Sequence, residues 1–298
     1  VYKKCIPQKL FVKRLIEISL VVNKGDIIKN DINIGKNIKI GIEISLKICY
    51  DIYVLKDVKT LQPTIVNLHG GGWFYGNKEV YQFYCMALAQ RGFTVVNINY
   101  RLAPENRFPC AVEDINKALC FVAENGKDYF VDKDRLVLIG DSAGAQLASH
   151  FATILTNPEF AKLFDFEVAD VTVKALGLNC GPYDGRAMAL NKNDEAFLEY
   201  IDCVDKTPES RLLEMVDALK YMNADYPPAF IMSTYCDFLY PCAQPMYDYL
   251  TSLGVPCEIK IYGDINRPEI GHVFHVNCRL KEAVECNDAE CEFFKKYV

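Results

Sequence analysis

Apolar and polar positions along the chain follow two rhythms. Between residues 38 and 55 apolar side chains recur at every second position: Ile38, Ile40, Ile42, Ile44, Leu46 and Ile48, then Tyr50, Ile52 and Val54. A period of two is that of a strand with one buried face. From residue 64 the beat changes to short, largely apolar runs: Thr64–Leu68, Thr94–Ile98, Leu136–Ile139, Val171–Leu178, Ala229–Met232 and Glu258–Ile261. Helical patterns stand between and after them, near 79–91, 109–125, 143–156, 240–253 and 279–296. Strands buried on both faces and alternating with helices predict a mostly parallel sheet, helices on both faces. Ligands of such sheets gather at the carboxyl ends of the strands. Ahead of this region Phe11, Leu15, Ile18 and Val22 are spaced four, three and four apart, which predicts one face of a helix. The segment 184–225 breaks the alternation with acidic, helical sequence (Asn191–Asp202, then Pro208–Met222) and reads as an excursion over the site. No repeat or linker divides the chain, so residues 1–298 read as one domain, with cap elements from about 1–35 and 184–225.

Composition narrows the function. With 298 residues, 51% hydrophobic and 24% charged, the chain has ample material for a core. Thirty-three basic against 39 acidic residues leave a net charge of −6, which excludes a nucleic-acid partner held by phosphate contacts. The apolar stretch Leu10–Val22 carries Lys13, Arg14 and Glu17, and is too short and too charged for a membrane span. Thirteen scattered cysteines form no C-x-x-C pair, and no N-x-[ST] sequon occurs. Free thiols in a reducing, cytoplasmic setting are the expectation. The first residue is Val1 rather than Met, which reads as a processed or trimmed start.

The first chemical motif is Gly140-Asp141-Ser142-Ala143-Gly144. It stands between the strand run Leu136–Ile139 and the helical pattern Ala145, Leu147, Ala148, Phe151, Ala152. Strand, sharp turn, helix is the setting of a nucleophile elbow, whose strained turn lifts the serine above the strand ends. The second is His69-Gly70-Gly71-Gly72-Trp73, after the run Thr64–Leu68. Three bare glycines uncover backbone N–H groups that a developing oxyanion can approach closely. Gly71 and Gly72 are the leading donors, Gly70 a third candidate, and the Ala143 N–H after the nucleophile another.

These motifs, with Tyr100-Arg101-Leu102-Ala103-Pro104-Glu105, Phe108-Pro109 and Val112-Glu113-Asp114 between them, resemble the hormone-sensitive-lipase-like branch of the α/β-hydrolase carboxylesterases over about residues 64–298. The resemblance implies an α/β-hydrolase fold with a small helical cap and a serine esterase activity. Arg101 and Glu105 are expected to anchor their loop by ion pairing, and Asp141 to bond neighbouring backbone.

Four histidines permit elimination of a base. His69 sits in the glycine loop, where it is expected to brace the loop. His150 is eight residues beyond Ser142 on the same helix, about 12 Å along its axis, too far to take the serine proton. His272 and His275 remain. His272-Val273-Phe274 resembles the family's H-x-F segment after the last strand, which favours His272. The acid belongs after a late strand: Asp237, in Asp237-Phe238-Leu239, resembles the family's D-x-L segment, and Asp264, beside Gly263, is the competitor. The family often carries a second acidic residue shortly after; Pro241 stands there instead.

The expectation is a carboxylesterase for short-acyl esters, such as acetylated sugars or other small acetyl esters, with Ser142, Asp237 and His272 as catalytic residues and an acyl-serine intermediate. Trp73, Phe74 and Tyr75 are candidates to line the substrate pocket. The chemistry calls for no metal and no organic cofactor; the partner is a small-molecule ester, and the resemblance permits a homodimer. Two readings compete: a small-amide hydrolase or peptidase on the same fold, and a non-catalytic ligand-binding member.

Overall fold

A computed structural model describes residues 14–16, 38–44, 49–202 and 210–298, with side chains from residue 50 onward. Nine strands form one sheet: β1 (Arg14–Ile16), β2 (Ile38–Ile44), β3 (Cys49–Leu55), β4 (Gln62–Leu68), β5 (Thr94–Ile98), β6 (Val131–Asp141), β7 (Val173–Asn179), β8 (Ala229–Thr234) and β9 (Cys257–Tyr262). Their order is β1-β2-β3-β5-β4-β6-β7-β8-β9. The first three pair antiparallel down to β5, and from β5 to β9 every pairing is parallel. Each apolar run beyond residue 64 falls on a strand of this parallel portion.

The pleat explains why the interior runs are apolar on both faces, while the edge strand β9, with Glu258 and Lys260, alternates. Alternate side chains point to opposite faces. Val66, Leu68, Val96, Leu138, Leu178 and Ile231 point to one core, built with α2 (Cys110–Asn125), α3 (Ala143–Thr156) and α8 (Ala243–Ser252). Ile65, Val95, Val137, Ile139, Ala175, Phe230 and Met232 point to the other, covered by α1 (Gln82–Ala89) and α9 (Lys281–Phe294). With both faces dry, a polar residue in a run would need a partner. Asn67 and Asn97, adjacent in the β4–β5 register, supply one to each other at 2.9 Å.

Two sequence expectations change. The helix expected near residues 11–22 is not what residues 14–16 form: they are β1, paired with Ile40–Ile42 of β2. The open edge of β2 offers backbone donors and acceptors, and pairing them outweighs a weak helical periodicity. The rest of that helix, and the remainder of the expected cap segment 1–35, lie outside the described residues. The 184–225 excursion forms three short helices, α5 (Gly185–Leu190), α6 (Glu195–Ile201) and α7 (Arg211–Val216), then a 3₁₀ turn at Leu219–Tyr221. One further short helix, α4 (Pro158–Ala161), was not anticipated; Asn157 caps it by accepting from the Glu159 and Phe160 N–H groups.

Candidate active site

The turn between β6 and α3 carries Ser142 at φ 52°, ψ −122°. A non-glycine residue at positive φ is strained by about 1–3 kcal/mol, and the surroundings hold it there. The Ser142 N–H donates to the Asn179 carbonyl at 2.9 Å, while its own carbonyl accepts from the Ala145 and Gln146 N–H groups. Both motif glycines are sterically required. A Cβ on Gly144 would stand 2.1 Å from the Leu68 carbonyl oxygen, and one on Gly140 would stand 2.4 Å from the Gly144 carbonyl. Helix α3 therefore abuts the end of β4 closely enough to place Ser142 beside the glycine loop. As the first residue of α3, Ala143 keeps an N–H that no intrahelical bond claims.

The loop itself is a tight turn. The Phe74 and Tyr75 N–H groups both donate to the Gly71 carbonyl at 3.0 Å. Gly71 has φ 122°, and a Cβ there would overlap the Tyr75 carbonyl at 1.9 Å. The Gly70 N–H is already committed, donating to the Tyr81 hydroxyl at 3.0 Å; that hydroxyl in turn donates to Asp141 at 2.8 Å. Gly70 is thus the weakest of the three glycine donors. Asp141 bonds a side chain rather than only backbone, and burial pushes its carboxyl up to about 7.

Of the pocket candidates, Trp73 is buried and occupied: its ring stacks on Tyr200 of α6 at 5.1 Å, and its Nε1–H donates to Gln146 at 3.2 Å. It ties the excursion to the glycine loop. Phe74 is half-buried against the core. Tyr75, 71% exposed, is the loop aromatic that faces outward. Below the loop Lys78 enters a buried ion pair with Asp51 of β3, its Nζ 2.9 Å from both carboxylate oxygens.

The four histidines separate by environment. His69 stacks on Tyr100 at 4.2 Å, with Nδ1 2.7 Å from the Gly70 carbonyl, and burial lowers its pKa. His150 is surrounded by Phe108, Phe160 and Phe164, and burial drives it down to about 3. His275 is buried edge-on to Tyr84 and also driven down to about 3 by burial. His272 alone of the four has a carboxylate: its Nδ1 lies 2.8 Å from Asp237 Oδ1, and its side chain keeps 24% exposure. The ring of Phe238 lies over it at 4.5 Å.

Asp237 follows β8 and His272 follows β9, and a parallel bridge between Cys236 and Gly271 draws the two loops together. Burial pushes the Asp237 carboxyl up, but hydrogen bonds from His272, Cys180 and the Leu239 N–H outweigh it and hold the group below the ordinary carboxylate range. The Ser233 hydroxyl reaches the other oxygen at 3.2 Å. Asp264, the competing acid, caps its own turn by accepting from the Asn266 N–H at 2.7 Å.

Arg101 anchors its loop through Asp114 and Glu113, each at 2.7 Å, while Glu105 is exposed. Sequence reasoning missed Cys180 after β7, whose sulfur shares a space of 4.8 Å with Asp237 and His272. It also missed buried Glu290 of α9, which accepts from Asn179 at 2.9 Å. Neither carries a motif; the sheet order brings Cys180 to the pair, while Glu290 lies under the end of β7.

The sheet, the elbow and the paired carboxylate and imidazole at the strand ends are those of an α/β-hydrolase, and solved structures agree. Esterase B from Lactobacillus Rhamnosis (HN001) matches at 25% identity over 83% of this chain and 80% of its own, with a TM-score of 0.74. An esterase from Pyrobaculum calidifontis matches at 25% identity over 84% and 81%, TM-score 0.65. A thermostable esterase from Pseudomonas putida ECU1011, at 18% identity, 88% and 84% coverage and TM-score 0.69, shares the fold. The protein is a carboxylic ester hydrolase of this fold. The BD-FAE family model matches residues 50–247, and the chain belongs to that family. Among the described residues no helix is long and apolar enough to cross a membrane.

Proposed function

We propose that the protein hydrolyses small, short-acyl esters, acetyl esters among them, through an acyl-Ser142 intermediate. The observations that carry this reading are the 2.8 Å bond between His272 and Asp237 and, separately, a serine held at φ 52° on the elbow. Asp237 fixes the tautomer with the proton on Nδ1, leaving Nε2 as the base. His272 takes the Ser142 proton as the hydroxyl oxygen attacks the ester carbonyl. The tetrahedral oxyanion is met by the N–H groups of Ala143, Gly71 and Gly72. The imidazolium, stabilised by Asp237, protonates the departing alcohol. Water activated by His272 then releases the acid and restores the serine.

A space of about 240 Å³ lies beside the acid loop, walled by Tyr183, Leu219, Pro241, Cys242, Met246 and Tyr249, and none of its walls is a catalytic or oxyanion candidate. Leu219 belongs to the excursion, and the Trp73–Tyr200 stack docks α6 on the glycine loop. We therefore read 184–225 as the cap of a single domain. The ten described cysteines from Cys85 onward are free thiols, in keeping with a reducing, cytoplasmic setting. Strand β9 ends the sheet and is the edge through which a homodimer would form.

The test is release of p-nitrophenol from its acetate, butyrate and octanoate esters, and of p-nitroaniline from the matching anilides, with Ser142→Ala as control. Turnover is expected to be fastest on the short esters and lost in the variant. Unchanged turnover in Ser142→Ala would remove the serine mechanism; anilides cleaved in preference to esters would favour an amidase.

A further inference from the structure

The cysteine that follows β7 adds a third ligand to the acid–base pair. We propose that Cys180, Asp237 and His272 form an inhibitory zinc site, at which a thiophilic divalent cation reversibly switches the esterase off. The inference rests on the reading of His272 as the base.

Each of the three residues follows a different strand, β7, β8 and β9, and offers one ligand atom. The three atoms lie within 4.8 Å of one another. Tetrahedral zinc takes sulfur, nitrogen and carboxylate oxygen at about 2.0–2.3 Å, which sets its ligand atoms about 3.3–3.8 Å apart. To reach that spacing the 2.8 Å His272–Asp237 side must open by about 0.5 Å, and the sides to Cys180, which extend to no more than 4.8 Å, must close by about 1 Å or less. A carboxylate and an imidazole alone would give two ligands; the thiol makes three, and the fourth position opens to water on the exposed side of His272. The Ser233 hydroxyl and the Leu239 N–H already orient the carboxylate from behind, as outer partners of metal ligands do. A thiolate–imidazole–carboxylate set selects zinc, not the oxygen-seeking magnesium or calcium.

The proton balance explains why binding inhibits. Zinc replaces the Cys180 thiol proton, which leaves to solvent, and forms the Zn–S bond. The proton on His272 Nδ1 transfers through solvent to Nε2, freeing Nδ1 for the metal. Asp237 binds as the carboxylate it already is. The net change is one zinc ion bound and one proton released. Nε2 is then a donor, and has no lone pair for the Ser142 proton.

The experiment titrates ZnCl₂ against p-nitrophenyl acetate turnover by the full chain, with MgCl₂ as control, in wild type, Cys180→Ala and Cys180→Ser. Activity with zinc is expressed relative to the same variant without it. Zinc, but not magnesium, is expected to inhibit the wild type. Both variants should need roughly 100-fold more zinc or greater, since loss of even an outer partner costs 10–100-fold in metal affinity. A second measurement is independent of turnover: cobalt(II) added to Ser142→Ala is expected to give a thiolate-to-cobalt charge-transfer band that Ser142→Ala/Cys180→Ser lacks. Inhibition at equal zinc in all three proteins, a wild type indifferent to zinc, or a cobalt band that survives loss of Cys180 would each overturn the proposal. Failure of the ester mechanism shows separately, as turnover that persists in Ser142→Ala, and leaves the cobalt result standing.

Discussion

The two sides of the site are specified by different physics. Around Ser142 the geometry is local: five consecutive residues, two without Cβ atoms, fold into a turn that backbone sterics alone demand. Around His272 nothing local fixes the geometry. Asp237 and His272 are 35 residues apart and meet because β8 and β9 are neighbours and Cys236 bridges Gly271. A motif can encode the first kind of order, whereas the second is a property of the assembled sheet.

The comparison can be broken on either side. The largest effect is expected from Asp237→Asn, which keeps the shape of the acid arm but disturbs the His272 tautomer. Ester turnover should fall by about 10⁴-fold while the thermal unfolding midpoint stays near that of the wild type. Loss of fold together with activity would show that the arm depends on this charge for its structure. Next is Lys78→Met beneath the glycine loop, which removes the cation from the buried Asp51 carboxylate and leaves it the Tyr53 hydroxyl at 3.3 Å. Denaturant unfolding should register a loss of about 3–5 kcal/mol; a loss under 1 kcal/mol would mean that water reaches the pair. On the elbow, Gly144→Ala forces a Cβ against the Leu68 carbonyl, and a cost of about 1–3 kcal/mol with loss of turnover is expected. A fully active Gly144→Ala would contradict the steric account.

The smallest expected effect concerns the buried acid beneath the sheet. Burial raises the Glu290 carboxyl to about 8. Between the ordinary carboxylate range and pH 8 the unfolded chain has released this proton and the folded chain retains it. The folded state therefore binds more protons, and stability falls as pH rises through that window. Glu290→Gln removes this contribution, so the melting temperature of the wild type minus that of the variant should fall between pH 5 and pH 8. Asp141, raised to about 7, adds a slope of the same sign, and His150 and His275, driven down to about 3, add one of opposite sign below pH 6.5; these are common to both proteins and cancel in the difference. Equal slopes would show that Glu290 is ionised in the folded protein.

Legibility in the sequence follows the same division. The parallel strands were readable because burial on both faces makes their runs apolar. The elbow and the glycine loop were readable because their glycines answer local steric demands. Asp237 and His272 could be nominated only by resemblance to motifs, and the sheet then brought them to hydrogen-bonding distance. Cys180 was not legible: it is one of 13 cysteines, and its importance lies in what β8 and β9 place beside it. Trp73 was expected at the pocket, yet burial against Tyr200 takes its ring into packing. At residues 14–16 pairing with β2 overrode a helical spacing.

The central claim is that Ser142 is the nucleophile activated by His272. Treatment of the full chain with a p-nitrophenyl alkylphosphonate, followed by peptide mass mapping, tests it most directly. The account predicts one phosphonyl adduct per chain, on the peptide containing Ser142, forming far more slowly in His272→Ala. An adduct on any other residue, or labelling of Ser142 at the same rate without His272, would contradict it.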